Sequence, residues 1–253
     1  MNKAKAFTLA PLAPLAPLAW ALLLAPAYAE DAAAEAPVSY PLWSGSAEVG
    51  SVWTSGNTDT SSINGTASIK REAQVWESKL RFDALTSEED NKTTKEKYKG
   101  LGQVNYDFTE RLYLATVAWQ ERDRFSGFDY QGSASAGLGY RLIDSEYTKL
   151  QLEAGPGYSR ERETATQEVI EDRIGRFVLN YSWLIREGIE FTETATAEKG
   201  DKNGIYTSET GFKSQINGSI ATKLTYKIKS VDEVPVGKKH TDREFGVTLV
   251  LSF

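Results

Sequence analysis

Along most of the chain, apolar and polar residues alternate with a period of two. Over 76–84, Trp76, Leu80, Phe82 and Ala84 share one face with Ser78, and Glu77, Lys79, Arg81 and Asp83 occupy the other. From 130 to 142, Tyr130, Gly132, Ala134, Ala136, Leu138, Tyr140 and Leu142 alternate with Gln131, Ser133, Ser135, Gly137, Gly139 and Arg141. Ile220, Leu224, Tyr226 and Ile228 oppose Lys223, Thr225, Lys227 and Lys229. Strict alternation marks strands with two unlike faces. Faces this long suit the wall of a barrel in lipid, where only closure satisfies every backbone group.

The pattern predicts an all-β fold, a transmembrane antiparallel up-and-down β-barrel of about twelve strands. They fall near 43–54, 59–71, 75–85, 96–106, 112–121, 130–143, 148–159, 172–184, 189–197, 204–214, 219–230 and 242–253. The ninth strand carries a discordant residue, because Glu193 shares the face of Phe191 and Ala195. Links expected to face outward (86–95, 122–129, 160–171, 198–203 and 231–241) are polar and mostly long, with 55–58 the short exception. Links 107–111, 144–147, 185–188 and 215–218 are tight. Long outer loops and short inner turns are the usual asymmetry of outer-membrane barrels. Aromatics gather near the predicted strand ends. Trp43, Trp76, Tyr106, Tyr113, Tyr140 and Trp183 fall toward one rim, and Trp53, Tyr98, Trp119 and Tyr158 toward the other, as interfacial girdles would.

The two chain ends carry addresses. Lys3 and Lys5 precede an apolar stretch, and Ala27-Tyr28-Ala29 offers a small-x-small cleavage site, so residues 1–29 read as a signal peptide cut after Ala29. Pro11, Pro14 and Pro17 make the stretch poor material for a retained spanning helix. Residues 30–42 are expected to form a short periplasmic segment, and 43–253 the barrel. In the last strand Phe245, Val247, Leu249, Leu251 and the terminal Phe253 occupy alternate positions. This is the form of a signal read by the barrel-assembly machinery of the outer membrane, the partner expected during biogenesis. Outer-membrane lipid and lipopolysaccharide are the partners expected afterwards.

Composition changes the picture only in places. The chain has 253 residues, no Cys, one His and a net charge of −6. Removing residues 1–29 loses two lysines and no acid, which gives −8. An acidic chain argues against nucleic acid as a partner. The absence of Cys excludes disulfides, Cys-ligated metals and thiol catalysis. A mean hydropathy of −0.42 suggests a soluble protein until it is read as the average of a lipid face and a water face.

Five short runs point to a family. Residues 43–53, Trp-Ser-Gly-Ser-Ala-Glu-Val-Gly-Ser-Val-Trp, are followed by Ser55-Gly56-Asn57-Thr58-Asp59-Thr60. Together with Glu121-Arg-Asp-Arg-Phe-Ser-Gly-Phe-Asp-Tyr130, Gly137-Leu-Gly-Tyr140 and Ala154-Gly-Pro-Gly-Tyr158, the run resembles the YdiY-like salt-induced outer membrane protein family, a domain of unknown function. The resemblance covers about 43–253. It implies an outer-membrane barrel expressed under salt stress, and it supplies no reaction, ligand or site. The residues themselves read Ser55-Gly56-Asn57-Thr58-Asp59 as a tight hairpin, since Gly and Asn tolerate positive φ.

Little in the chain suggests catalysis. The one imidazole, His240, stands among Lys238 and Lys239 with Asp242 two residues on, and no G-x-S-x-G accompanies it. The alternative to a non-enzymatic barrel is therefore a lipid-modifying or hydrolytic enzyme built on His240. No catalytic, cofactor or metal residue is assigned. Acidic clusters at 88–90 and 168–172 read as solvated loops, with divalent-cation binding as the alternative, and Asp201-Lys-Asn-Gly204 lacks the later bidentate Glu of a calcium loop. The interior is expected to hold both signs: Glu48, Lys70, Glu77, Lys79, Arg81, Asp83, Lys97, Lys99, Arg141, Glu153, Arg176, Lys213, Lys223, Lys227, Lys229, Asp242 and Glu244. Such a lumen is either plugged by ion pairs or lined as a narrow channel. The sequence leaves both open, along with the oligomeric state.

Overall fold

The computed structural model describes residues 43–56, 60–89 and 92–253. The proposed cleavage residues Ala27 and Ala29, the segment 30–42, and Asn57, Thr58 and Asp59 lie outside the described residues. Twelve strands follow in chain order: β1 (Trp43–Ser55), β2 (Thr60–Glu72), β3 (Trp76–Glu89), β4 (Lys92–Asp107), β5 (Leu112–Asp123) and β6 (Phe128–Asp144), then β7 (Thr148–Glu163), β8 (Val169–Arg186), β9 (Ile189–Gly200), β10 (Gly204–Gln215), β11 (Ile220–Val231) and β12 (Thr241–Ser252). Each pairs antiparallel with its neighbour in sequence, and β12 pairs with β1 to close the barrel. Closure leaves no strand edge unpaired, which an apolar surround requires.

Register fixes which residues face out. Glu48 lies opposite Thr66, Thr66 opposite Asp83, and Asp83 opposite Lys99, so a row of polar residues looks inward, continued on β12 by the inward Val250 opposite Glu48. The alternate positions face outward and stay exposed, among them Val49, Phe82, Leu138, Phe177, Leu224 and Phe245. The buried apolar residues are mostly inward ones, such as Tyr113, Val117, Val178, Ile205 and Val250, and they pack between charged layers inside the wall. Glu193 does face outward. It is held there by the Ser208 and Thr210 hydroxyls, which donate to it at 2.7 and 2.5 Å.

We call the rim bearing the start of β1 and the end of β12 proximal, and the opposite rim distal. Proximal links are short, as expected. Some distal links expected to be long are largely strand, since β3 and β4 pair out to Glu89 and Lys92 and β7 and β8 out to Arg162 and Val169, whereas 232–240 is a long loop as expected. Among the described residues, what remains of these links is 124–127, 164–168, 201–203 and 232–240. Backbone pairing continues past the apolar belt, where both faces turn polar and alternation no longer reports it. Two girdle assignments are also corrected. Tyr113 and Trp119 belong to the inner face of β5, because Glu121 on the same face lies opposite the inward Lys99. Both faces of β5 are apolar over 112–119, so the pattern could not orient it. Trp43, Trp76, Tyr140 and Trp183 do face outward and are exposed at the proximal end.

Candidate functional site in the barrel lumen

All seventeen charged residues expected inside share the inward parity of their strands, and the structure adds further acids to them, among them Glu121, Glu161, Glu198 and Glu209. Toward the distal end, Glu121 is the hub. Only 3% exposed, it accepts from Lys229 Nζ at 2.6 Å, with Lys97 Nζ at 3.7 Å. Lys97 also donates to Glu244 at 3.0 Å, and Lys95 lies 3.6 Å from the same carboxylate. Lys229 makes a further hydrogen bond to Gln131 at 2.9 Å. β5 and β11 are six strands apart in a ring of twelve, so the Lys229–Glu121 contact joins opposite walls of the bore.

A second layer lies nearer the middle. Glu198 accepts from Trp119 Nε1 at 3.1 Å and from Ser133 Oγ at 2.8 Å. Arg176 Nη1 donates to Glu153 at 3.1 Å, and Glu153 also accepts from Tyr113 OH at 3.0 Å. On the other side Arg81 binds Asp83 at 2.9 Å and reaches Glu209 at 3.6 Å, while Lys223 donates to Glu48 at 3.3 Å. Every one of these carboxylates has a cation or a hydroxyl partner, the condition for keeping charge in a confined space. The network leaves cavities of ≈ 190 Å³ and ≈ 80 Å³ in the bore, both lined by Arg81, Asp83, Lys99, Glu209 and Lys227. Each exceeds the volume that one water needs.

The loop 232–240 crosses the distal mouth. Lys238 Nζ donates to the Phe125 carbonyl at 2.6 Å, on the far side of the opening. Asn203 anchors its start: Asn203 Nδ2 donates to Glu161 at 3.1 Å, and Asn203 Oδ1 accepts from the Glu233 amide at 2.9 Å. The Lys199 ammonium, 2.6 Å from Asp232, holds that loop carboxyl below the usual carboxylate range. His240 closes the loop, its Nδ1 2.9 Å from the Val231 carbonyl. The acids of 168–172 do not act together: Glu171 faces outward to Arg160 at 3.4 Å, and Asp172 accepts from the Lys202 amide at 2.6 Å. Of the cluster at 88–90, Asp90 lies outside the described residues. Among the described residues no group of His, Asp or Glu is arranged to hold a metal ion.

The remaining sequence motifs sit at the barrel seam. Phe245, Val247, Leu249 and Leu251 line the outer face of β12, and Phe253 follows it with a reciprocal backbone pair to Gly45, at 2.7 and 3.0 Å. Ser55 ends β1 and Thr60 begins β2. Gly56 between them has φ 135°, and a side chain there would overlap Asp242 and Thr241, so two constraints demand glycine.

Residues 47–253 match the model of the family described as "Protein of unknown function, DUF481". The chain is 23% identical over 206 residues to "Uncharacterized protein YdiY" of Escherichia coli (strain K12), across 81% of each chain. It superposes on the NanC porin with a TM-score of 0.56 at 9% identity, covering 81% of this chain and 98% of that one. The translocator domain of the autotransporter NalP from Neisseria meningitidis gives 0.52 at 11% identity, over 84% and 89%. The KdgM porin gives 0.50 at 11%, over 82% and 99%. At these identities the likeness is one of fold.

Proposed function

The chain belongs to the DUF481 family of proteins of unknown function, and from that premise we propose a non-enzymatic barrel of the Gram-negative outer membrane. Its bridged lumen passes water and small ions, excludes larger solutes, and serves the envelope under salt or osmotic stress. The observation that carries this reading is the 2.6 Å contact between Lys229 and Glu121 across the full width of the bore. An open solute pore needs that space free, whereas water and single ions can pass between paired side chains. The apolar outer face supports the location, and the signal peptide with cleavage after Ala29 supplies the export route. The outer face of β12, ending in Phe253, is the feature that the assembly machinery would read. The stress setting rests on the family resemblance. It has a physical counterpart, since the Debye length falls from about 10 Å at 0.1 M salt to about 3 Å at 1 M, which loosens pairs that bore water reaches.

Purified full-length barrel in planar bilayers tests the reading. Reproducible small conductance steps are expected, together with no swelling of protein-bearing liposomes in a neutral sugar. Absence of steps would make the barrel a sealed structural element, and sugar-driven swelling would make it an open porin.

A further inference from the structure

The two rims of the lipid-facing surface differ in chemistry. The outward proximal rim is aromatic, with Trp43, Trp76, Tyr140, Trp183 and Phe253. On the distal rim, one sector spanning β5 to β8 is basic instead. Tyr130 of β6 lies opposite Arg162 of β7, whose guanidinium carbon stands 5.2 Å from the Tyr130 ring centroid. The register Glu121 to Gln131, carried one step further, sets Arg122 of β5 on the other side of Tyr130. Arg160, opposite Gly132, lies one row nearer the apolar belt, and Arg173 of β8 lies opposite Tyr158 one row below that. Adjacent strands are about 4.8 Å apart, so Arg122 and Arg162 flank one tyrosine within about 10 Å.

Among the described residues, Arg160 alone of the four forms an ion pair, with Glu171 at 3.4 Å. Arg122 and Arg173 are exposed. Four guanidiniums share this sector with Glu171 and with Asp129, which accepts from Gln167 at 3.0 Å, a surplus of positive charge in a chain whose net charge is −6. Self-repulsion has a cost that a purely water-facing rim would have no reason to bear. Below the cluster the outward surface turns apolar, first through Tyr158 and Ala134 and two rows further on through Leu138 and Phe177. Anything bound here therefore meets positive charge above and hydrocarbon below.

We propose that Arg122, Arg160, Arg162 and Arg173 form a docking site for the phosphate groups of a phosphorylated glycolipid in the outer leaflet. Its acyl chains lie against the apolar belt beneath. Arginine is the residue suited to this task, because its planar fork donates two parallel hydrogen bonds to phosphate and keeps its charge at any working pH. Basic clusters just outside an apolar band recruit anionic headgroups by the same attraction. The site rests on the membrane reading above but does not depend on whether the bore conducts.

The test uses the full-length barrel in neutral detergent, with purified lipopolysaccharide, the same lipid after phosphatase treatment, and phosphatidylethanolamine as probes. Native mass spectrometry counts the bound lipid. Wild type is expected to retain the phosphorylated lipid in preference to the other two. Arg122→Gln combined with Arg162→Gln is expected to weaken retention by about a hundredfold, roughly tenfold for each lost charge-assisted pair. Arg243→Gln, on the β12 sector of the same rim, is expected to change nothing. Heat-dependent gel mobility checks that each variant is a folded barrel. Equal retention of the phosphatase-treated lipid, or an unaffected double variant, would overturn the site. Full displacement by millimolar inorganic phosphate would also overturn it, since the site would then recognise a free ion. Fractionation of cells reads the location separately, so a barrel that reaches the outer membrane yet shows no lipid preference would sink this inference alone.

Discussion

Gly139 holds open the space that the Tyr113 ring occupies. The two residues lie opposite each other on β6 and β5, and a Cβ on Gly139 would overlap the ring. Tyr113 is fully buried, donates to Glu153 and carries the Arg141 guanidinium 4.7 Å above its ring centroid. Displacing the ring would therefore disturb Glu153 and, through it, Arg176. Gly139→Ala is expected to cost about 1–3 kcal/mol, the usual range for overpacking a filled interior. The midpoint of urea unfolding in micelles would report it. Gly218→Ala serves as the control, because a Cβ there meets nothing within 4 Å, and an equal loss in both variants would argue against the packing explanation.

At the scale of elements, the seam between β1 and β12 decides whether the sheet closes. Phe253 ends it with two backbone hydrogen bonds to Gly45, and its ring covers the space a Gly45 side chain would take. Deleting Phe253 removes both bonds and opens the proximal end of the seam, at about 1–3 kcal/mol for two hydrogen bonds. The expected result is a smaller fraction of heat-modifiable barrel after refolding, with Phe253→Tyr close to wild type. Full refolding of the deletion would separate any assembly signal from closure. The strands themselves were legible in alternation, because each crosses from lipid to lumen at every residue. Their distal ends were not, since 160–163 is polar on both faces and 169–172 runs Val-Ile-Glu-Asp, so neither segment carries a period of two. Nor was the orientation of β5, where Tyr113, Val117 and Trp119 look as lipid-compatible as Leu112 and Leu114. A single residue held the answer: Glu121 shares the parity of Tyr113 and Trp119, and an acid at the end of that face marks it as the inner one.

The lumen network belongs to the whole molecule, because its contacts join residues far apart in the chain. Lys229 and Glu121 are 108 residues apart, and Lys97 and Glu244 are 147 apart. No spacing along the sequence announces such pairs. They exist only once twelve strands have closed and opposite walls face each other. Two consequences of the Lys229–Glu121 bridge can be measured together. Glu121→Gln leaves Lys97 and Lys229 beside a neutral amide in a confined space. Removing one partner of a buried pair typically costs about 3–5 kcal/mol, whereas replacing both by apolar residues of similar size is often neutral or better. The double variant Glu121→Leu, Lys229→Met should therefore unfold closer to wild type than Glu121→Gln does, a non-additivity that a mutant cycle measures directly. The same double variant takes away the only contact identified between diametrically opposed walls among the described residues, so its conductance steps should exceed those of wild type. A double variant that is stable yet conducts no better would place the narrowest point elsewhere, and the loop 232–240, tied to Phe125 across the distal mouth, would be the next constriction to cut.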